Sequence, residues 1–299
     1  MGQTNGPPDI ELTDVGMTSL VTLYCRAIES SSDEAILDDP VAVELKRRLD
    51  PILRSSGVPL LRQLSEGRVH KTLRAYVAMR ARHFDACARR FTARHPEGYI
   101  LNLGCGFDTR FQRIDDGVVR LYDLDRSDVI RAKRGLIAET DRYRFIEASV
   151  LDTEWMAELP PVGTPALVLA EGLLMYLALE DVRALVCRLR ERCGPAELVA
   201  EVFNRRWLGP WFGWVVDRKL RRALGFGSDA RFHSGLASSD EMAEWGEGID
   251  FLGDWSAFDD PERGLGAIRF LGRIELIRSV LRVVHYRLRS HPPGSNRDD

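Results

Sequence analysis

Two closely spaced glycines, Gly104 and Gly106, follow the short apolar run Tyr99 to Leu103. Such a run predicts a buried strand, and the glycines permit a tight turn and a close approach of the backbone to a ligand. A dinucleotide-binding loop would have a third glycine where this chain has Thr109, because that glycine brings a pyrophosphate to a helix N-terminus. The loop is therefore either a plain strand-to-helix turn or a site for a nucleotide-type ligand without phosphate.

Acidic residues end two further apolar runs. Asp123 and Asp125 lie about twenty residues after the glycines, where a carboxylate can accept both hydroxyls of a ribose. Alternatively, these aspartates cap the helix predicted to begin near Ser127. Glu171 follows the next run, so it is expected at the same sheet edge, facing the ammonium or sulfonium side of the ligand. The spacing favours Asp125 as the ribose ligand of S-adenosylmethionine, a cofactor without phosphate.

Short apolar runs alternate with helical patterns through the middle of the chain, notably at Ser127 to Glu139 and Leu179 to Arg192. This alternation is typical of an open, mostly parallel α/β sheet with helices on both faces. The predicted strands are Tyr99 to Leu103, Val118 to Leu124, Arg144 to Ala148, Ala166 to Ala170, Glu197 to Phe203 and Leu281 to Leu288.

The first part of the chain has a helical pattern, with Asp33 as a predicted N-cap and Gly67 to Arg94 as one long helix. Joints are predicted at Asp39-Pro40, Asp50-Pro51 and Gly57. The predicted division is a tail over 1–15, a helical extension over 16–95, a catalytic domain over 96–290 with an insertion or lid over 204–248, and a tail over 291–299.

Composition excludes several classes of protein. The net charge of -3 and the sequence pI near 6.1 give no basic field for nucleic acid or an anionic membrane. The N-terminus has no apolar signal segment, and no run of about 18 apolar residues occurs, so a soluble cytoplasmic protein is expected. Five cysteines without a CxxC pair predict neither a disulfide framework nor a metal site.

Several segments together are similar to one family. RARHFD, NLGCGFDTRF, YDLDRSDVI and AEGLLMYL occur in the order and spacing of the leucine carboxyl methyltransferase-like family. LYCRAIES and ILDDPVA resemble its bacterial branch of O-methyltransferases of polyketide biosynthesis, so the resemblance covers roughly residues 15–205. It implies a class I methyltransferase, with a Rossmann-like seven-stranded sheet and a helical N-terminal extension. It also implies S-adenosyl-L-methionine as cofactor, S-adenosyl-L-homocysteine as product and no metal.

The resemblance also implies roles for individual residues. Arg80 pairs with the cofactor's carboxylate, a role that suits a guanidinium, although Arg80 could instead be an ordinary surface arginine of an arginine-rich helix. Family members from animals have an acidic residue where this chain has Ser149, so the adenine contact could pass to Asp152 or to the backbone. The remaining implied cofactor residues are Arg26, Gly104, Cys105, Gly106, Asp108, Asp125, Val150 and Glu171, with Glu171 and Tyr176 near the reaction centre.

The acceptor implied by the resemblance is an oxygen, most simply a carboxylate of a small-molecule acid. A carboxylate is ionised at neutral pH and needs no general base, whereas a phenol or alcohol does. His233 is the suggestive base, unless it is a surface histidine, and Arg205, Arg206 and Arg231 are candidate substrate anchors. Trp207, Trp211 and Trp214 are either walls of a lid or core packing.

Other functions stay open from the sequence. They are a protein C-terminal carboxyl methyltransferase, a nicotinamide-dependent oxidoreductase and a catalytically silent cofactor-binding protein. The sequence does not decide between a monomer and a homodimer.

Overall fold

The computed structural model of the protein describes residues 14–209, 232–260 and 278–290, and these form a seven-stranded sheet. The strand order is β3-β2-β1-β4-β5-β7-β6, with β1 to β5 parallel and β7 antiparallel to both of its neighbours. The predicted fold class is thereby confirmed. The strands are β1 (Tyr99–Leu103), β2 (Leu121–Asp125), β3 (Tyr143–Glu147), β4 (Ala166–Ala170), β5 (Ala196–Phe203), β6 (Ile249–Trp255) and β7 (Leu281–Leu288).

Helices cover both faces of the sheet. They are α1 (Asp14–Ser30), α2 (Pro40–Ser55), α3 (Pro59–Ser65), α4 (Lys71–Arg94), α5 (Arg110–Ile114), α6 (Ser127–Arg134) and α7 (Leu179–Cys193). On one face Ile100 and Leu167 pack with apolar residues of α1, α2 and α4. On the other face Leu101 and Val168 pack with α7. Because both faces are covered, every residue of β1 and β4 is buried, which explains their unbroken apolar sequences.

The strand order reverses at β1, which pairs with β2 on one side and with β4 on the other. The chain therefore runs in opposite directions after β1 and after β4, and a crevice forms between these connections at the carboxyl ends of the strands. The glycine loop and Glu171 both lie at this edge, as the sequence predicts.

Several predicted boundaries were wrong. The long helix begins at Lys71 and not at Gly67, because Gly67 has a left-handed φ of 72° and the His70 side chain caps Thr72. Asp50-Pro51 is inside α2 and not a joint, since the apolar face of α2 is buried on both sides of the proline. Asp39, not Asp33, caps a helix, with its Oδ1 accepting the Ala42 N–H at 3.0 Å. The helix from Ser127 ends at Arg134 instead of Glu139, at the Gly135 C-cap.

The segment predicted as a lid, 204–248, is described over 204–209 and 232–248. Its last part packs into the protein, because Met242 is fully buried in the same cluster as α7 and Tyr286 of β7. The predicted domain division itself stays a prediction. Among the described helices, none is long and apolar enough to cross a membrane.

Candidate active site

The glycine loop after β1 is packed tightly between two elements. Gly104 and Gly106 have φ values of 61° and 50°, in the left-handed region that favours glycine. A Cβ on Gly106 would lie 2.6 Å from the Cβ of Ser19 on α1. A Cβ on Gly104 would lie 2.9 Å from Cδ1 of Leu173, in the loop after β4. The backbone conformation thus favours glycine at both positions, and the close contact with Ser19 makes the requirement strictest at Gly106.

Asp125, at the end of β2, holds this loop. Its Oδ2 accepts the Gly106 N–H at 2.8 Å, and its Oδ1 accepts the Arg126 N–H at 2.8 Å. Burial raises the pKa of Asp125, although these two donors oppose the rise. Neither aspartate is the N-cap of α6, because that position is Arg126, whose own side chain makes no capping bond. Asp123, two residues before Asp125 on β2, is buried, and its carboxylate accepts from Asn102, Lys133 and Tyr143.

Arg80 lies inside the protein, with only 10% of its side chain exposed. Its Nε donates to Glu171 Oε1 at 2.8 Å, and its Nη1 donates to Glu201 Oε2 at 2.7 Å. Neither ion pair uses Nη2, which lies near Gly172. The alternative of an ordinary surface arginine is therefore wrong.

Glu171 joins Arg80 to a second arginine. Its other oxygen, Oε2, accepts from Arg110 Nη2 at 2.5 Å. Burial alone would raise the pKa of Glu171, but the adjacent guanidiniums of Arg80 and Arg110 hold it below its ordinary value. Glu171 is thus an anion whose two oxygens are both engaged.

These pairs belong to one chain of contacts, here named the buried ion network. Arg113 links Asp39 and Asp85 at 2.8 and 2.7 Å, so α5 is tied to the extension helices. Arg26 donates to Asp39 at 3.0 Å and to the Phe107 carbonyl at 2.7 Å. The members are Arg26, Arg80, Arg110, Arg113, Asp39, Asp85, Asp108, Glu171 and Glu201.

Sequence reasoning missed six members of this site: Tyr76, Glu201, Arg110, Arg113, Asp39 and Asp85. Glu201 is a charged residue within the apolar strand β5 and is 1% exposed, which was the available signal. Tyr76 precedes Arg80 by four residues on α4, so both side chains lie on one face of the helix. The tyrosine hydroxyl donates to Glu201 Oε1.

A cavity of about 1000 Å³, counted with its opening, connects these groups. Its polar part contains Arg26, Arg80, Asp108, Glu171 and Glu201, together with the glycine loop. The helix α1 forms one wall, and Tyr76 and Tyr176 also face the cavity. The apolar part is lined by Val21, Leu73, Val77, Met175, Phe232 and Leu281.

Other predicted site residues lie elsewhere. Ser149, Val150 and Asp152 form a turn after β3, where Asp152 Oδ2 accepts the Ser149 N–H at 3.2 Å. This turn adjoins Asp125, whose carbonyl accepts the Ala148 N–H at 3.0 Å, and neither the turn nor Asp125 is part of the cavity lining. Arg205, Arg206 and His233 are exposed and do not line the cavity. Arg231, Trp211 and Trp214 lie outside the described residues.

Comparison with known proteins identifies the family of this chain. The sequence model of the leucine carboxyl methyltransferase family matches residues 19–189. The chain belongs to this family. Among its relatives is the tetracenomycin polyketide synthesis O-methyltransferase TcmP of Streptomyces glaucescens, 33% identical over 263 residues, which cover 87% of this chain and 88% of TcmP. The S-adenosyl-L-methionine-dependent methyltransferase dpfgK of Gibberella zeae is 29% identical over 242 residues, 72% of this chain and 80% of dpfgK.

Solved structures agree on the fold. A DUF574 family protein from Streptomyces avermitilis superimposes with a TM-score of 0.54 at 16% identity, covering 80% of this chain and 95% of its own. The protein is thus an S-adenosylmethionine-dependent methyltransferase of the leucine carboxyl methyltransferase family. This assignment removes the nicotinamide-dependent oxidoreductase as an alternative.

The residues of this methyltransferase fit its cofactor. The two glycines of the loop line the cavity, and the guanidinium of Arg80 has one edge outside its ion pairs. Asp125 provides a carboxylate next to the loop, at the strand end where a ribose is bound in such sheets. In the described residues, no group of three His, Cys, Asp or Glu side chains is arranged to hold a metal ion.

Cys105 lies between the two glycines of the methyltransferase but is not expected to react. It is buried, and burial raises the pKa of its thiol well above the ordinary value. We expect iodoacetamide at pH 8 to label the half-buried Cys187 and leave Cys105 unlabelled, as measured by peptide mass spectrometry. Protein unfolded in guanidinium chloride is the control and should be labelled at both residues. Rapid labelling of Cys105 in the folded protein would contradict this expectation.

Proposed function

We propose that the protein transfers a methyl group from S-adenosylmethionine to an oxygen of a small molecule, and that this oxygen belongs to a carboxylate. One observation carries the proposal: a single cavity is lined both by the glycine loop with the Arg80–Glu171 pair and by apolar side chains. A cofactor and an apolar acceptor would share this space. The relationship to TcmP, an O-methyltransferase of polyketide synthesis, supports an oxygen acceptor.

The proposed cofactor contacts follow the polar part of the site. Arg80 binds the cofactor's carboxylate through Nη2, the nitrogen that its two ion pairs do not use. Asp125 accepts the ribose hydroxyls, while Ser149, Val150 and Asp152 flank the adenine at the adjoining turn. The remaining proposed contacts are Arg26, Gly104, Cys105, Gly106, Asp108 and Glu171, all of which line the cavity.

The acceptor is proposed to be a carboxylate because the described cavity lining offers no free base. It contains no histidine, and its glutamates, Glu171 and Glu201, are both bonded to Arg80. Its aspartate, Asp108, is paired with Arg110 and Arg113. When bound, the cofactor supplies an electrophilic methyl group on its sulfonium. An ionised carboxylate attacks without losing a proton, so the chain's task is to orient the acceptor and to exclude water.

The apolar lining of the cavity indicates which kind of acid the acceptor is. Leu73, Val77, Met175 and Phe232 present apolar surface, and Tyr176 packs edge-on against Phe232 at 5.3 Å between ring centroids. Burial raises the pKa of Tyr176 above its ordinary value, so at neutral pH its hydroxyl is a neutral hydrogen-bonding group near the reaction centre. These walls suit an aromatic or otherwise apolar small-molecule acid.

A methyl-transfer screen tests this function. With radiolabelled S-adenosylmethionine, we expect label on small aromatic or polyketide-like acids, and we expect mild base to release it as methanol, because esters hydrolyse and methyl ethers do not. A base-stable product would refute the carboxylate, and label found on added peptides through their C-termini would refute the small-molecule acceptor. S-Adenosylhomocysteine should raise the melting temperature and NADH should not, as a control for the cofactor.

A further inference from the structure

We propose that Glu201, held by Tyr76, is a positioning residue for Arg80 and supplies the negative charge through which the site distinguishes S-adenosylmethionine from its neutral product. The proposal rests on the function proposed above, since it takes Arg80 to be the ligand of the cofactor's carboxylate. It goes further by assigning a task to a buried carboxylate to which the family resemblance gives no role.

The contacts of Glu201 connect three elements of the site. It lies on β5, accepts from Arg80 Nη1 at 2.7 Å through Oε2, and accepts from the Tyr76 hydroxyl through Oε1. The backbone of Gly172, which has a φ of 67°, closes over this pair. A Cβ there would lie 3.6 Å from Glu201 Oε2 and 3.7 Å from Arg80 Nη1. Both Glu201 oxygens are thus used, although the side chain faces the cavity.

This arrangement fixes the direction of the Arg80 guanidinium. Because the group is planar, holding Nε at Glu171 and Nη1 at Glu201 determines where Nη2 points. Burial opposes ionisation of Arg80, but the charges of Glu201 and Glu171 hold its pKa well above the ordinary value. Burial raises the pKa of Tyr76, so the tyrosine is a neutral donor to Glu201.

The charges of the buried ion network do not cancel. The buried ion network joins four guanidiniums to five carboxylates, and with every member ionised it has one negative charge in excess. Glu201 is at the end of this network and is paired with one guanidinium, whereas Glu171 is paired with two. Glu201 therefore has fewer guanidinium partners than any other carboxylate of the network.

That excess charge complements the cofactor and not the product. With an ionised carboxylate and ammonium group, S-adenosylmethionine has a net charge of +1 at its sulfonium, and S-adenosylhomocysteine has none. In a partly desolvated site, the attraction between two unit charges is much larger than at the same distance in water. Transfer of the methyl group removes this attraction, so the charge of Glu201 favours binding of the cofactor over retention of the product.

Calorimetry on purified full-length variants separates the two tasks. In Glu201→Gln, which removes the charge at nearly constant shape, we expect affinity to fall about tenfold more for S-adenosylmethionine than for S-adenosylhomocysteine. Glu201→Asp keeps the charge and should preserve the ratio of the two affinities, even where both decrease. Tyr76→Phe removes only a hydroxyl, so it should weaken the binding of both ligands by the same few-fold factor.

The matched control is Glu197→Gln, also on β5. The Glu197 carboxylate pairs with Arg94 and His285 outside the cavity lining, so this variant should change neither affinity.

The outcomes distinguish this proposal from the proposed function. If Glu201→Gln weakens both ligands equally, or neither, the charge assignment is wrong while the methyltransferase function stands. Unchanged affinities in Tyr76→Phe overturn the positioning role, whether or not Glu201→Gln folds. If the unaltered protein binds neither ligand, both this proposal and the proposed cofactor site are refuted.

Discussion

Replacing Gly106 by alanine should reduce the affinity for S-adenosylhomocysteine by about a hundredfold or more and reduce methyl transfer in proportion. The new Cβ would lie 2.6 Å from the Cβ of Ser19, and neither atom can move by a side-chain rotation. Alanine would also be strained at a φ of 50°. Either α1 or the loop must therefore shift, and a shift of the loop breaks the bond from the Gly106 N–H to Asp125. Calorimetry with the product measures the affinity without needing the acceptor.

Two matched variants divide this effect into its causes. Gly67 has a similar left-handed φ of 72°, and nothing lies within 4 Å of where a Cβ would be. The variant Gly67→Ala therefore measures the effect of backbone strain alone. It should cost about 1–2 kcal/mol in the free energy of unfolding and leave cofactor affinity unchanged. The double variant Ser19→Gly/Gly106→Ala removes the collision and should recover part of the lost affinity. Normal binding by Gly106→Ala would show that α1 does not restrict the loop.

Gly104→Ala should be milder. The nearest atom to its new Cβ is Cδ1 of Leu173, the far end of a flexible side chain, at 2.9 Å. The order of effects, Gly106 above Gly104, is a consequence of the packing and could not be read from the repeated glycine alone.

The spacing of apolar residues and the positions of glycine and proline predicted six of the seven strands and the sheet edge at which the site lies. Strands such as β1 and β4 are short, wholly buried and therefore wholly apolar, so their ends could be located within a residue. The strand β6 was missed because its alternation is blurred: Phe251 and Leu252 are consecutive and both exposed, and the register shifts between Phe251 and Gly253. The cofactor contacts of Asp125, Ser149, Val150 and Asp152 stay predictions.

The contacts that complete the site were not predictable, because they join residues far apart in the chain. Glu201 meets Tyr76 and Arg80 across more than a hundred positions, and Ser19 meets Gly106 only once α1 has packed on the loop. Apart from Glu201, a charged residue within an apolar strand, the local sequence of each partner is ordinary for its element. Only the assembled fold brings these residues to the ends of the central strands.

The largest loss of stability is expected from Arg113→Met. Arg113 is almost fully buried and donates to Asp39, Asp85 and Asp108, with the shortest contact of 2.7 Å at Asp85. Methionine retains much of the aliphatic stem but leaves three buried carboxylates short of a partner. We expect the free energy of unfolding at pH 7.5 to fall by about 3–5 kcal/mol, measured by urea denaturation. Arg47→Met is the matched control, because the Arg47–Glu44 pair lies on the surface and its loss should be barely measurable.

The pH dependence of this loss identifies its cause. Burial alone would raise the pKa of Asp39 and of Asp108, but Arg113 and its neighbouring arginines hold both below the ordinary value. A depressed folded-state pKa stabilises the protein above the unfolded value of about 4, and that contribution is lost as the pH falls through the folded value. Without Arg113 these pKa values rise, so the carboxylates can take up protons instead of remaining as unpaired buried anions. The loss in Arg113→Met should therefore be smaller at pH 4.5 than at pH 7.5, whereas a loss of packing alone would be the same at both.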